Sequence, residues 1–94
     1  MVAVFVKESL KEGVRDEFVE YMREVMRLTK LEEGNIAYDL YEPADDPGNC
    51  VMIEVWETKE ALDRHMQSEH FLKYIPAGDV YKSAPSEIKL YSSL

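Results

Sequence analysis

The spacing of apolar residues changes several times along the chain, and each spacing predicts a different element. Residues 2–7 form a short apolar run, which predicts a strand buried on both faces. Between Gly13 and Gly34 the apolar residues recur every three to four positions instead. A helix would place these residues on one stripe: Val14, Phe18, Met22, Val25 and Thr29. Gly34 is the predicted C-terminal stop of this helix.

Two stretches with a period of two follow, over residues 35–42 and 50–57. The first predicts a strand with one face formed by Ile36, Tyr38 and Leu40. The second predicts a strand whose two faces are Val51, Ile53 and Val55, and Met52, Glu54 and Trp56. Turn-forming residues 43–49 join the two stretches, so we predict an antiparallel hairpin.

Two short helical segments and a final strand complete the chain. Thr58 is the predicted N-cap of a helix over residues 59–66. The inward face of that helix consists of Ala61, Leu62, His65 and Met66. Ser68 is a second predicted N-cap, and the helical face that follows it ends at Pro76 after Phe71, Leu72 and Ile75. Residues 87–91 alternate again and predict the last strand.

The predicted order is therefore β-α-β-β-α-β, the ferredoxin-like arrangement of the α+β class. Both helices would cover one face of a four-stranded antiparallel sheet, and residues 1–94 would form a single domain. Val51, Ile53 and Val55 cannot lie under the helices if Met52 and Trp56 do, because the two sets alternate. An apolar sheet face without helices favours a partner sheet, so we predict a homodimer.

Composition and charge exclude several classes of partner. The net charge is −8 and no run of Lys or Arg forms a basic stripe, which argues against nucleic acid and anionic membranes. Cys50 is the only cysteine, so an internal disulfide and a multi-cysteine metal site are excluded. The apolar N-terminal run is too short for a signal peptide, and no stretch has the length of a membrane span. We therefore expect a cytoplasmic protein.

Three segments together resemble the antibiotic biosynthesis monooxygenase family, in its quinol-monooxygenase-like branch. They are residues 51–58 (VMIEVWET), residues 59–65 (KEALDRH) with 68–71 (SEHF), and residues 34–41 (GNIAYDLY). The likeness extends over nearly the whole chain in order and spacing. It implies a dimer in which two sheets pack into an α+β barrel. It also implies a substrate cavity in each subunit, between the sheet and the helices.

Three residues are candidates for the chemistry of such a cavity. Glu54 is a carboxylate within an apolar strand, where burial without a partner costs several kcal/mol or raises the pKa until the group is neutral. His65 lies on the apolar side of its helix, and His70 begins the next helical segment. We interpret His65 as the base, with Glu54 or His70 orienting the substrate or the base. For each of these residues, and for Trp56, a purely structural role is the alternative.

The walls of the cavity would be apolar and aromatic. The resemblance to the family implies that Trp56 is the tryptophan that lines the cavity. The predicted substrate-binding set also includes Tyr38, Met52 and Phe71. Tyr38 and Tyr41 fall on opposite faces of their strand, so at most one of them faces the cavity.

No metal or cofactor is predicted. Two histidines alone supply too few ligands for a metal ion. Because His65 and His70 are five residues apart, a straight helix would point their side chains about 140° away from each other around its axis. Haem-degrading relatives place an axial histidine a few residues after the phenylalanine, and residues 71–76 contain none. Those relatives also have asparagine where this chain offers Lys7 and Glu8.

The function predicted from these features is a cofactor-independent monooxygenase that uses molecular oxygen on a quinol or another small hydroxylated aromatic. A base would form the substrate anion, which can pass an electron to oxygen inside a dry pocket. One alternative is an isomerase or another proton-shuttling enzyme that acts on a small hydroxy-carbonyl signal molecule. A second alternative is a non-catalytic, small-molecule-binding or stress-response dimer.

Overall fold

A computed structural model describes residues 1–94 and contains four strands and three α-helices. In chain order they are β1 (Val2–Glu8), α1 (Arg15–Lys30), β2 (Asn35–Tyr41), β3 (Cys50–Trp56), α2 (Lys59–Met66), α3 (Glu69–Ala77) and β4 (Glu87–Ser92). A short 3-10 segment, Gly78–Tyr81, follows α3. The predicted order is confirmed, with the second helical region divided into α2 and α3 by the Ser68 N-cap.

The strands form one antiparallel sheet in the order β2-β3-β1-β4, as in ferredoxin-like folds. Residues opposite one another in an antiparallel pair point to the same face of the sheet. Glu54 lies opposite Val4 on β1 and Tyr38 on β2, so these three side chains share a face. That face is buried, whereas Phe5 on the other face is 41% exposed. The prediction that β1 is buried on both faces is therefore wrong for the single chain, because all the helices pack on one side.

The apolar stripe of α1 packs as predicted: Phe18, Met22, Val25 and Thr29 are all buried. The helix ends at Lys30, four residues before the predicted stop at Gly34. Gly34 instead has φ +87 in the turn that leads into β2, a conformation that favours glycine. None of the helices is both long and apolar enough to cross a membrane.

Four other sequence predictions need correction. Ile36 is exposed because the β2–β3 register shifts between Asn35 and Ala37, so it does not continue the face of Tyr38. Leu72 is 60% exposed, because α3 turns Tyr74 toward the core in its place, whereas Ile75 packs against the core as predicted. Met66, the last residue of α2, is also exposed. Helix α3 continues through Pro76 and ends one residue later.

Replacement of Gly34 by alanine should lower the free energy of unfolding by about 2 kcal/mol, from the left-handed backbone and the added methyl group together. A Cβ at this position would lie 2.6 Å from the Cβ of Ala61 on α2. Gly13 has a similar φ of +78 but nothing within 4 Å of an added Cβ, so Gly13→Ala is the matched control. We expect urea denaturation to show about half the loss for the control, and equal losses would contradict the close approach of α2.

Candidate active site

A cavity of about 310 Å³ lies between the helix-covered face of the sheet and the helices. Of the 20 residues that line it, 13 are hydrophobic. The charged or polar residues in the lining are Glu8, Glu54, Lys59, His65, Lys82 and Ser86. A mainly apolar pocket with a few polar groups is the usual form of a small-molecule site, and this one is at the small end of the range.

Glu54 lies in the middle of β3, at the floor of the cavity, and is only 5% exposed. Its Oε1 accepts a hydrogen bond of 3.0 Å from Nε1 of Trp56, which shares its face two residues along the strand. Burial raises the pKa of Glu54 to about 7, and the hydrogen bond from Trp56 opposes that rise. The carboxyl group therefore exchanges a proton near neutral pH, as a general acid or base must.

His65 faces the same region from α2 and is almost wholly enclosed by rings. Its centroid lies 4.8 Å from that of Trp56, 5.3 Å from Tyr38 and 5.2 Å from Phe71. Burial lowers the pKa of His65, although the neighbouring Glu32 carboxylate partly offsets this. The imidazole is therefore mainly neutral at neutral pH.

Glu32 determines which nitrogen of His65 bears the proton. Its Oε2 lies 2.7 Å from Nδ1 of His65, so the favourable tautomer is the one in which Nδ1–H donates to the carboxylate. The opposite nitrogen, Nε2, then has a free lone pair. Nε2 is buried and has no hydrogen-bond partner in the protein. A carboxylate that holds one imidazole nitrogen and leaves the other as an acceptor is the arrangement of a general base.

His70 joins this cluster, contrary to the geometry expected from the sequence. Its Nε2 lies 2.8 Å from the same Glu32 Oε2, and the centroids of the two imidazole rings are 5.9 Å apart. The angle for a straight helix does not apply, because α2 ends at Met66 and α3 begins at Glu69. Sequence reasoning missed Glu32 entirely, since this residue lies in a turn where no periodicity marks it.

The predicted wall residues divide into two groups. Tyr38, Met52 and Phe71 line the cavity. Trp56 is fully buried and is not part of the lining; it supports Glu54 and His65 from behind. His70 also stays outside the lining. Trp56 thus contacts the candidate acid–base residues more directly than it would contact a ligand.

The cavity lining contains a second set of polar residues, Glu8, Lys82 and Ser86, which the sequence did not predict as a site. Lys82 Nζ lies 3.1 Å from Glu8 Oε2 and 2.8 Å from Ser86 Oγ. Both charged side chains are largely buried, and Glu8 Oε1 has no hydrogen-bond partner. Lys82 comes from the irregular segment between α3 and β4, where sequence periodicity gives no signal.

Comparisons with known proteins agree with this architecture. The sequence profile described as antibiotic biosynthesis monooxygenase matches residues 1–77. YcnE of Bacillus subtilis (strain 168), named as a candidate monooxygenase, is 28% identical over 88 residues, covering 94% of this chain and 93% of YcnE.

Two solved structures match over nearly their full length. A crystal structure of an antibiotic biosynthesis monooxygenase superposes with a TM-score of 0.89 at 30% identity, covering 100% of this chain and 99% of that one. The structure of Rv0793 from Mycobacterium tuberculosis superposes with a TM-score of 0.90 at 29% identity, covering 99% of this chain and 94% of that one. From the profile match and these likenesses, we conclude that the chain belongs to the antibiotic biosynthesis monooxygenase family.

Proposed function

We propose that this protein is a monooxygenase that inserts one atom of molecular oxygen into a quinol or another small hydroxylated aromatic, without a metal or organic cofactor. One observation supports this most: an acid–base pair at an apolar cavity, in which burial moves the two pKa values in opposite directions. Glu54 is held partly protonated, and His65 is held neutral. Titratable groups shifted in this way take the roles of acid and base.

In the proposed reaction His65 Nε2 accepts the proton of a substrate hydroxyl, and Glu32 stabilises the imidazolium through Nδ1–H. The substrate anion gives one electron to oxygen, and the two radicals combine at a ring carbon into a peroxide, which takes the proton from the His65 imidazolium to become a hydroperoxide. His65 then removes the hydrogen on that ring carbon as a proton, and the electron pair of the C–H bond forms the new C=O bond as the O–O bond breaks. One oxygen atom stays on the product, while the other takes a proton from Glu54 and departs as water. The proton that His65 holds then returns to the Glu54 carboxylate. The substrate supplies both electrons of the reduction, so no external reductant is consumed.

The apolar lining supports this chemistry in a second way. Water would separate the radical pair and hydrolyse or protonate its intermediates, so the reaction needs a largely dry site. Tyr38, Met52 and Phe71 supply apolar and aromatic surface next to the acid–base residues. The volume of about 310 Å³ favours a substrate of one to a few rings over a large cofactor such as haem.

The same pair of residues also supports a second function. An isomerase of a small hydroxy-carbonyl compound needs one group to remove a proton and another to return it. His65 and Glu54 would do this with no oxygen. The two functions share a site and differ in whether oxygen is consumed.

The test is a panel of quinols and phenols incubated with chelator-treated protein under air, under argon and under ¹⁸O₂. The proposal expects one oxygen molecule consumed per product, one ¹⁸O atom in the product, and no reaction under argon. Product formed equally under argon would favour the isomerase and overturn the monooxygenase. Tight binding of a panel member with no turnover under any gas would favour the non-catalytic alternative.

We also propose that the protein works as a homodimer joined through the sheet face without helices. Phe5 and Tyr91 are exposed there and contact each other edge to face, with ring centroids 5.6 Å apart. Val51, Ile53 and Val55 lie on the same face and are only partly covered. Burying such a face against a copy of itself would remove a large apolar surface from water.

Sedimentation at micromolar concentration should therefore give about twice the chain mass of 10.9 kDa. Ile53→Lys should shift the species to a monomer, because a charge would be placed within the apolar interface. Leu72→Lys is the matched control, since Leu72 is equally apolar but exposed on α3. A folded wild-type monomer at this concentration would contradict the dimer.

A further inference from the structure

We infer that Glu32, His65 and His70 form a binding site for a divalent transition-metal ion such as Zn²⁺ or Co²⁺. One carboxylate oxygen and one ring nitrogen from each histidine lie within 4.8 Å of one another. The three residues come from the turn after α1, the end of α2 and the start of α3. Two imidazoles and a carboxylate are a ligand set that proteins use for zinc, with water in the fourth position.

The distances are close to those that a metal would impose. Glu32 Oε2 lies 2.7 Å from His65 Nδ1 and 2.8 Å from His70 Nε2. Ligand atoms around a tetrahedral zinc ion, with bonds of about 2.0–2.1 Å, lie about 3.3 Å apart. An ion could therefore replace the two shared protons if the oxygen and each nitrogen separated by about half an ångström.

The cluster is enclosed but open enough for an ion to enter. The side chains of Glu32 and His70 are 18% and 13% exposed, whereas that of His65 is 1% exposed. The partly exposed residues can adjust to the ion, and the buried imidazole gives the site a fixed ligand. Ser68 Oγ, 3.3 Å from His70 Nε2, contributes a further polar atom beside the site.

The inferred metal site shares His65 with the cavity proposed for the reaction, and its other two residues lie outside the lining. His65 lines the cavity, but Glu32 and His70 do not, so the ion would lie behind the imidazole rather than against a substrate. A metal on Nδ1 would move the remaining ring proton to Nε2. The nitrogen that can accept a proton in the metal-free protein would then be a donor. A metal ion bound at Nδ1 would therefore prevent His65 from accepting a proton at Nε2. Metal binding and the proposed base role of His65 exclude each other.

The experiment is calorimetric titration of the metal-free dialysed protein with ZnCl₂, together with visible absorption spectra during titration with CoCl₂. We expect one ion per chain and a cobalt spectrum of low coordination number. Glu32→Gln and His70→Ala should each weaken Zn²⁺ binding by at least about 100-fold, more than loss of a supporting outer-shell partner costs. Both positions are partly exposed, and circular dichroism will verify that the variants are folded.

Glu33→Gln is the matched control, because it removes the same charge from the exposed neighbouring position. It should bind Zn²⁺ within about twofold of wild type. The inference is overturned if the wild type gives neither binding heat nor a cobalt spectrum. It is also overturned if Glu32→Gln and His70→Ala bind as the wild type does, since the ion would then be held elsewhere.

One further measurement rests on the proposed function. If His65 is the base, Zn²⁺ should abolish turnover of any substrate found in the oxygen panel, and His70→Ala should relieve that inhibition. Zn²⁺ that binds at the cluster but leaves turnover unchanged would leave the metal site intact and contradict the base role of His65. The metal site and the base role of His65 can therefore be refuted independently of each other.

Discussion

Replacement of His65 by leucine is expected to lower turnover by at least about 100-fold, the usual size of a general-base contribution. Leucine is close enough in volume to fill the space between Trp56 and Phe71, but it has no atom that can accept a proton. Substrate affinity should change much less, because the other cavity residues remain in place. Turnover and binding are therefore to be measured side by side on the wild type and the variant.

The stability of the variant separates catalysis from folding. Glu32 loses one hydrogen-bond partner but keeps His70, and a buried imidazole nitrogen without a partner disappears. These changes oppose each other, so the free energy of unfolding should stay within about 1 kcal/mol of wild type. Leu62→Met, a volume-conserving change beside His65 on α2, is the control for altered packing. Wild-type turnover in His65→Leu would transfer the base role to Glu54.

The fold could be predicted from the sequence because each element shows its own period and its own boundary residues. The helical stripe from Phe18 to Thr29 and the alternation in β3 correspond to the buried faces observed. Thr58 and Ser68 cap α2 and α3 with their side-chain oxygens, as predicted. The errors occur where tertiary structure interrupts a period, as at the register shift beside Ile36.

The candidate site could be predicted only where a polar residue interrupts an apolar pattern. Glu54 and His65 were found in this way, and both are buried beside the cavity. Glu32 and Lys82 lie between regular elements, so no pattern relates them to the residues that they contact. Glu32 contacts His65 across 33 residues of sequence. Such a contact depends on how the turn after α1 packs against the corner between α2 and α3, which local sequence does not specify.

Between pH 5 and pH 8, Glu54→Gln is expected to gain roughly 2.5 kcal/mol in free energy of unfolding relative to wild type. The pKa of Glu54 is about 7 in the folded protein and 4.5 for an ordinary glutamate. Between these values the folded state holds a proton that the unfolded state has released, so wild-type stability falls as pH rises. Each pKa unit corresponds to about 1.36 kcal/mol, and the part of the interval from 4.5 to about 7 that lies above pH 5 gives the expected size.

Glutamine at position 54 should remove the fall in stability with rising pH and keep the hydrogen bond from Trp56. Its amide oxygen can still accept from Trp56 Nε1, and the amide does not titrate. Relative to wild type, Glu54→Gln should therefore gain stability as the pH is raised, and the gain should level off above pH 8. The lowered pKa of His65 acts in the opposite direction but is common to both proteins, so it cancels in the difference.

Urea denaturation at pH 5, 6, 7 and 8 measures this difference directly, at constant ionic strength. Glu57→Gln is the matched control, because it makes the same substitution at an exposed position directly after β3. The same experiment also tests the acid role of Glu54, since a carboxyl group that ionises normally in the cavity cannot hold a proton for the leaving oxygen at neutral pH. A difference between Glu54→Gln and wild type that stays constant from pH 5 to pH 8 would show that burial does not raise this pKa. The proposed reaction would then need another proton donor at the cavity.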